Sequence, residues 1–188
     1  YNLYRDGALL QTGLMEGTYT DSNFEYNSDY YYHLGVVFSD GIEIISSDSI
    51  TITTPLPPVP DGMIELSYDD DTFENGFNSG SGNFSAVRFT AYDGGEDLKR
   101  FRWYQIGSGG AFFINIWEDN NGMPADTAIY SYLQATGNKS GWNEKDLSDK
   151  NISVSGNFWI GTKEFSTSKP FGLDVTTTSG NSFQKEGE

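Results

Sequence analysis

The stretch Thr54-Pro55-Leu56-Pro57-Pro58-Val59-Pro60-Asp61-Gly62 holds four of the six prolines in the 188-residue chain. Proline lacks a backbone N–H and has a fixed φ, so such a run is expected to form an extended spacer that joins no sheet. The segments on its two sides are both rich in short strand-like runs. The sequence therefore predicts a module over residues 1–54, a proline-rich linker over 55–62 and a second module over 63–188.

Short runs of Tyr, Phe, Trp, Val, Ile and Thr alternate along the chain with Gly, Asn, Asp and Ser, which is typical of antiparallel strands and turns. Strands are predicted in the first module near 2–5, 8–12, 17–21, 29–38 and 43–53. In the second module they are predicted near 63–68, 84–91, 97–106, 111–118, 127–135, 142–147, 151–155, 157–165, 171–176 and from about 181. The predicted fold is all-β, with two tandem β-sandwiches.

Alternation within the predicted strand 29–38 separates its two faces. One face, which we predict to be a core face, carries Tyr30, Tyr32, Leu34 and Val36. The opposite face carries His33, the single histidine of the chain, which is most simply a surface residue of a sheet.

The composition narrows the classes of function. Cysteine is absent and there is one histidine, which argues against thiol chemistry, disulfide bonds and His-based zinc sites. The 27 acidic and 11 basic residues give a net charge of −16, which would repel nucleic acid. No apolar run approaches membrane-spanning length. We therefore expect an extracellular or cell-surface protein with no nucleic-acid partner and no membrane span.

The first module contains four short motifs in order, Tyr1–Gly7, Tyr19–Asp21, Ser28–Tyr32 and Ile50–Thr54, and Phe24 is followed six residues later by Tyr30. On these motifs residues 1–54 resemble the second half of a bacterial fibronectin type III domain, and Phe24 with Tyr30 resembles the tyrosine corner of that family. It implies that the first two strands of the domain are missing, so that the inner face of a partial sandwich is left open. We expect either that the parent chain continues N-terminally or that a neighbouring subunit donates strands.

The second module contains five motifs in order: Ser67–Asp70, Val87–Phe89, Ile116–Pro124, Gly141–Glu144 and Phe158–Gly161. Together they resemble the galactose-binding-like jelly-roll modules of secreted and surface proteins of Bacteroidetes-type bacteria. It implies two packed antiparallel sheets. It also implies a further aromatic strand after a turn such as Lys185–Gly187, so the module is expected to be truncated at its C-terminus.

Two segments offer oxygen ligands of the kind that calcium prefers. The first is an acidic loop containing Asp69, Asp70, Asp71 and Glu74, although acidic surface loops commonly just face water. The second contains Asp119 and Asn121, before Gly122, which is equally the composition of a tight hairpin turn. Calcium is therefore a candidate ligand at both places. The alternatives are a solvent-facing acidic loop at the first and a tight hairpin turn at the second.

Tryptophan faces could stack on sugars, and Trp142 and Trp117 are the candidates for ligand contact. In a sandwich of this size most tryptophans are expected in the core instead, because large aromatic side chains dominate burial. Ser49 and Thr127 lie in Asp-Ser/Thr-apolar triplets that resemble the O-glycosylation acceptors of the same bacteria.

No residue pattern supplies a nucleophile with an evident base, so we expect no enzymatic activity. The predicted function is a non-catalytic extracellular or cell-surface module for adhesion, assembly or spacing within a larger secreted bacterial protein. Its partners would be other domains of the same chain or neighbouring copies. The alternatives are a carbohydrate-binding accessory module, or the non-catalytic tail of a secreted peptidase or glycosidase.

Overall fold

The computed structural model describes residues 1–15, 17–68, 74–92, 95–173 and 180–185. Within these ranges the chain forms antiparallel β-sheets and contains no α-helix, so the all-β prediction is confirmed. Contacts divide the chain into two compact units, Tyr1–Ile64 and Glu65–Glu188. Residues 54–68, which include the proline run, contain no strand.

The first unit is a single five-stranded sheet. Its strands are β1 (Asn2–Arg5), β2 (Ala8–Gln11), β3 (Asp29–Val37), β4 (Glu43–Ile45) and β5 (Ile50–Thr53). β1 lies between β2 and β3, and the other edge of β3 pairs with β4 at one end and with β5 at the other. This unit therefore forms one layer and has no second sheet packed against it within the described residues.

Two strand predictions in the first unit need correction. Residues 17–21 form no strand, because no neighbouring strand pairs with their backbone groups. The predicted strand 43–53 is divided into two, since residues 46–49 leave the ladder and the N–H of Asp48 bonds to Ser46 Oγ at 3.0 Å.

The strands of the second unit alternate with short turns. They are β6 (Asn75–Phe77), β7 (Phe84–Thr90), β8 (Glu96–Leu98), β9 (Arg100–Gln105), β10 (Phe112–Asn120), β11 (Met123–Pro124), β12 (Tyr130–Gln134), β13 (Gly141–Asp146), β14 (Ile152–Val154), β15 (Asn157–Glu164), β16 (Phe171–Leu173) and β17 (Ser182–Lys185).

These strands form two main sheets and a short ribbon. The larger sheet has the order β11-β10-β15-β7-β17, with β12 also paired to β10. The smaller sheet has the order β13-β9-β16-β6, and β8 pairs with β14 alone. Side chains from the two sheets meet in a shared core, so this unit is a β-sandwich.

Alternation along the strands explains which residues fill that core. Phe112 and Ile114 of β10 point inward and pack against Trp103 of β9, with partly buried Phe171 beside them. Farther along the same inner face, a second cluster combines β10 and β15 side chains with the β14 ribbon: Ile116, Phe158, Ile160, Ile152 and Val154.

The structure also corrects the strand prediction in the second unit. Residues 63–68 form no strand. Two of their side chains make contacts instead: Glu65 lies 3.3 Å from Arg102, and the ring of Tyr68 stacks on that of Phe89 at 5.0 Å. The predicted strand 97–106 is interrupted at Lys99, which separates β8 from β9. The strand predicted over 171–176 is seen as far as Leu173, and residues 174–179 lie outside the described residues.

Candidate functional site

One face of the first sheet carries an apolar group of side chains that no second sheet of the described residues covers. We call it the apolar face, and it consists of Leu3, Leu34, Val36, Ile44, Ile50 and Ile52. These side chains share a face because cross-strand partners point the same way: Leu3 is opposite Leu34, and Val36 is opposite Ile44. Five of them are 40–68% exposed. On the predicted core face, Leu34 and Val36 are thus open to solvent, whereas Tyr30 and Tyr32 are partly buried.

Charge differs between the two sides of this sheet. Arg5 of β1, the cross-strand partner of Tyr32, lies on the same side as the apolar face. The two acidic residues in the strands of the first unit, Asp29 and Glu43, both lie on the face opposite the apolar face. Oε1 of Glu43 accepts hydrogen bonds from Asn2 Nδ2 at 3.0 Å and Tyr4 Oη at 2.9 Å. His33 is partly buried on this second face, with its ring 6.2 Å from that of Tyr4.

At one end the sheet is tied to the segment before β3. Arg5 Nη1 lies 2.7 Å from Asp21 Oδ2, and Tyr32 Oη donates to the same oxygen at 2.8 Å. Desolvation opposes ionisation of Asp21, but the hydrogen bonds from Tyr32 and from the Asn23 backbone, together with the charge of Arg5, outweigh it and lower its pKa. This ion pair fixes the 21–25 segment against the sheet.

Tyr30 makes a second contact with that segment. Its hydroxyl accepts a hydrogen bond from the backbone N–H of Glu25 at 2.8 Å, five residues upstream. A tyrosine hydroxyl bonded to the backbone a few residues earlier is the geometry of a tyrosine corner.

The first candidate calcium loop is only partly described. Asp69, Asp70 and Asp71 lie outside the described residues, and Glu74 donates its backbone N–H to Leu173 O at 3.2 Å. Among the residues that the structure does describe, no three His, Asp or Glu side chains lie close enough together to hold a metal ion.

The second candidate loop forms a two-residue hairpin. Asn120 pairs with Met123, and both Asn121 (φ 54°) and Gly122 (φ 85°) have positive φ, as a type I′ turn requires. Asp119 Oδ2 accepts the Gly122 N–H, and its Oδ1 accepts Trp159 Nε1–H at 2.8 Å. Those hydrogen bonds, the Gly122 one first, lower the pKa of Asp119. Both carboxylate oxygens are therefore engaged by protein donors.

Trp117 lies on the outer face of the larger sheet, where it is directly opposite Trp159. It is only 6% exposed, because it packs in a small cluster with Ala86, Phe84 and Ala128. Little of its ring surface is left for stacking on a ligand.

Trp142 has a different setting, on the outer face of the smaller sheet. It is partly exposed and is the cross-strand partner of Tyr104, with the two rings edge-to-face at 5.6 Å. The next pair on the same face is Glu144 and Arg102, joined at 2.8 Å, and Arg100 lies 3.3 Å from Glu144. We call these five residues the aromatic–ionic surface. The sequence indicated Trp142 alone; the register of β9 and β13 adds the others.

The two candidate modification sites are both exposed, and Ser49 directly precedes Ile50 of the apolar face. Ser49 is exposed in the turn between β4 and β5, and Thr127 is exposed between β11 and β12. Glycosylation of both residues stays a prediction.

Two polar side chains, Gln105 and Glu164, are fully buried and are not among the predicted site residues. Both occupy inward positions, Gln105 two residues after Trp103 and Glu164 four after Ile160. Because every second residue of a strand points to the same side, continuing the inward face of each strand from Trp103 and from Ile160 predicts that Gln105 and Glu164 are core residues.

Comparison of the chain with protein-family models, with curated proteins and with solved structures gives no match. No helix long and apolar enough to cross a membrane is found in the described ranges.

Proposed function

We propose that the chain is a non-catalytic extracellular or cell-surface module that acts in adhesion, assembly or spacing within a larger secreted bacterial protein. The observation that carries this proposal is the apolar face of the first sheet. A sheet with one apolar side is stable when that side packs against another layer. An uncovered face of this kind is an assembly surface.

The free energy available from burying the apolar face is comparable with the net stability of a whole domain. Full burial of a Val, Leu or Ile side chain stabilises by about 1.5–3 kcal/mol, so covering five half-exposed side chains would contribute roughly 4–8 kcal/mol. The net stability of a whole domain is only about 5–15 kcal/mol. Docking on the apolar face would thus decide whether this unit is stable.

The partner that fits this face is a second β-sheet with an uncharged apolar side. Sheets pack face to face through interdigitating side chains, and the acidic strand residues Asp29 and Glu43 point away from the contact. The tyrosine-corner geometry of Tyr30 supports the same partner, because it accompanies two-sheet fibronectin-like domains. Such a partner sheet explains the face without any catalytic role.

The test uses neighbouring residues on opposite faces of the full chain. Val36→Lys and Ile44→Lys place charge on the apolar face, whereas Val37→Lys and Ile45→Lys place the same charge on the other side at similar exposure (40% and 59% against 44% and 50%). We expect the unmodified chain to bind the apolar dye anilinonaphthalene sulfonate or to self-associate in analytical ultracentrifugation, and only the first pair of variants to abolish this. A monomeric chain that binds no dye, or equal effects of all four variants, would refute the assembly surface.

The aromatic–ionic surface favours a second candidate function, carbohydrate binding. Trp142 and Tyr104 offer adjacent ring surfaces, and Arg102 and Glu144 offer hydrogen-bonding groups for hydroxyls on the same face. In a panel of neutral oligosaccharides, a binding sugar should quench tryptophan fluorescence in the full chain. Trp142→Ala should weaken that binding at least tenfold, while Tyr92→Ala, at a tyrosine 65% exposed elsewhere in this unit, should not. Equal effects of both variants would contradict this site.

A further inference from the structure

Glu164, the last residue of β15, is a buried carboxylate without a basic partner. Its side chain is 0% exposed, and no Lys, Arg or His of the described residues forms an ion pair with it. The residues outside the described ranges include no Lys, Arg or His. No basic side chain of this protein therefore compensates the Glu164 charge, and an uncompensated buried charge is strongly unfavourable.

Only half of this carboxylate is satisfied by the protein. Oε1 accepts hydrogen bonds from the backbone N–H of Ser79 at 2.8 Å and from Ser79 Oγ at 2.7 Å. Oε2 is buried and has no hydrogen-bond partner among the described residues. The Ser79 contacts orient the carboxylate and leave one oxygen pointing into the interior.

Gln105 of β9 presents a second oxygen of the same kind. Its amide nitrogen donates to Gly107 O at 2.7 Å and to Gly109 O at 2.9 Å. Two carbonyl acceptors fix which way the amide group faces, because an inverted amide would place its oxygen against them. Oε1 of Gln105 is then directed away from this loop. It is buried and has no hydrogen-bond partner in the part of the chain that the structure describes.

The two side chains flank one pair of aromatic rings between the sheets. Glu164 is the cross-strand partner of Phe112 in the larger sheet, and Gln105 is the partner of Phe171 in the smaller one. The rings of Phe112 and Phe171 pack edge-to-face at 5.0 Å. Both unpartnered oxygens thus come from opposite sheets to the same end of the sandwich.

Two fixed oxygen acceptors, one of them charged, match the ligand preference of a small hard cation. We propose that this end of the sandwich binds such a cation, Ca²⁺ or Na⁺, with Glu164 Oε2 and Gln105 Oε1 as two of its ligands. The cation balances the buried charge and holds the two sheets together at that end. The site is separate from the acidic loop at 69–74 and does not depend on the assembly function.

The test compares ions at equal ionic strength, because general screening stabilises any chain with a charge of −16. Chelator-treated full chain is melted in CaCl₂, NaCl and choline chloride. If the site is correct, Ca²⁺ or Na⁺ raises Tm above the choline value, by roughly 5–10 °C at a hundredfold excess over Kd. The responding salt identifies the ion.

Glu164→Gln keeps the shape of the side chain and removes its charge. This variant should lose the ion-specific shift, and in choline it should melt at or above the unmodified chain because the buried charge is gone. A matched variant of the other acidic segment, D69N/D70N/D71N, should keep the shift. Two outcomes would assign the ion to a different place and overturn the proposal. One is that Glu164→Gln keeps the ion-specific shift in Tm; the other is that only the triple variant loses it.

Two measurements on the unmodified chain apply even if Glu164→Gln does not fold. For a calcium site, elemental analysis after equilibrium dialysis should find one Ca²⁺ per chain, and for a sodium site the NaCl and choline melts should differ. Identical melts in all three salts would overturn the proposal.

Discussion

Gly161 of β15 and Ala86 of β7 are direct cross-strand partners that approach too closely for a side chain at position 161. A β-carbon built there would overlap the carbonyl oxygen of Ser85 and would lie 2.5 Å from the Ala86 Cα. The obstacle is backbone at the centre of the larger sheet, so no side-chain rotation can relieve it. Glycine at this position is required by packing between the strands.

Gly161→Ala should therefore be severely destabilising, by about 3 kcal/mol or more, because β7 and β15 must separate to admit one methyl group. The matched control is Gly95→Ala in the same unit, where the nearest atom to the new β-carbon is 3.6 Å away. Urea denaturation of both variants measures the difference. Equal midpoints would show that the two strands are not held at this spacing.

Much of the fold follows from local alternation. The predicted strand near 111–118 corresponds to β10, and strand periodicity explains why its residues Phe112, Ile114 and Ile116 share the core face. The hairpin alternative at Asn121-Gly122 also agrees with the structure, since both positions need positive φ. These features depend on neighbours in sequence.

The remaining features depend on distant partners. Residues 17–21 have strand-like composition, but a strand forms only where another pairs with it, and composition does not report that neighbour. Trp117 is buried on the outer face because Trp159, 42 positions later, lies beside it. The partnership of Trp142 with Tyr104, and the approach of Glu164 to Ser79, depend in the same way on register between strands.

The contact between Asp119 and Trp159 predicts a stability loss that is independent of any metal. Asp119→Ala leaves the N–H of Trp159, a residue only 3% exposed, without its acceptor and removes the acceptor of Gly122 N–H in the hairpin. Loss of about 1–3 kcal/mol is expected. Asp126→Ala, at an exposed position nearby, should change stability by no more than about 0.5 kcal/mol. If chemical denaturation finds the two variants equal, the Asp119 hydrogen bonds are not formed in solution.

The Asp21 ion pair predicts a defined dependence on pH. Folding lowers the pKa of Asp21, so its ionised form stabilises the folded state above the unfolded pKa of about 3.9, and this contribution is lost as pH falls through the lower folded value. The difference in unfolding free energy between the unmodified chain and Asp21→Asn should be constant above about pH 5 and shrink below it. Tyr32→Phe removes one hydrogen-bond donor to Asp21. In that background the pH-dependent part of the difference in unfolding free energy should be smaller. A difference that does not vary between pH 7 and pH 2 would contradict the lowered pKa.

The two units should differ sharply when each is expressed by itself. Residues 65–188 contain both sheets of their sandwich and the clusters around Phe112 and Phe158, so we expect this fragment to give a soluble product with one cooperative thermal transition. Residues 1–64 contain a single sheet whose apolar face, including Ile44 and Ile50, is open to water. This fragment should be unfolded or aggregate, because one layer buries too little apolar surface to offset the entropy of ordering its chain.

Circular dichroism melts and light scattering on both fragments measure the contrast. A monomeric 1–64 fragment that melts cooperatively would show that its sheet is stable without a partner, and the apolar face would then lose its role in assembly.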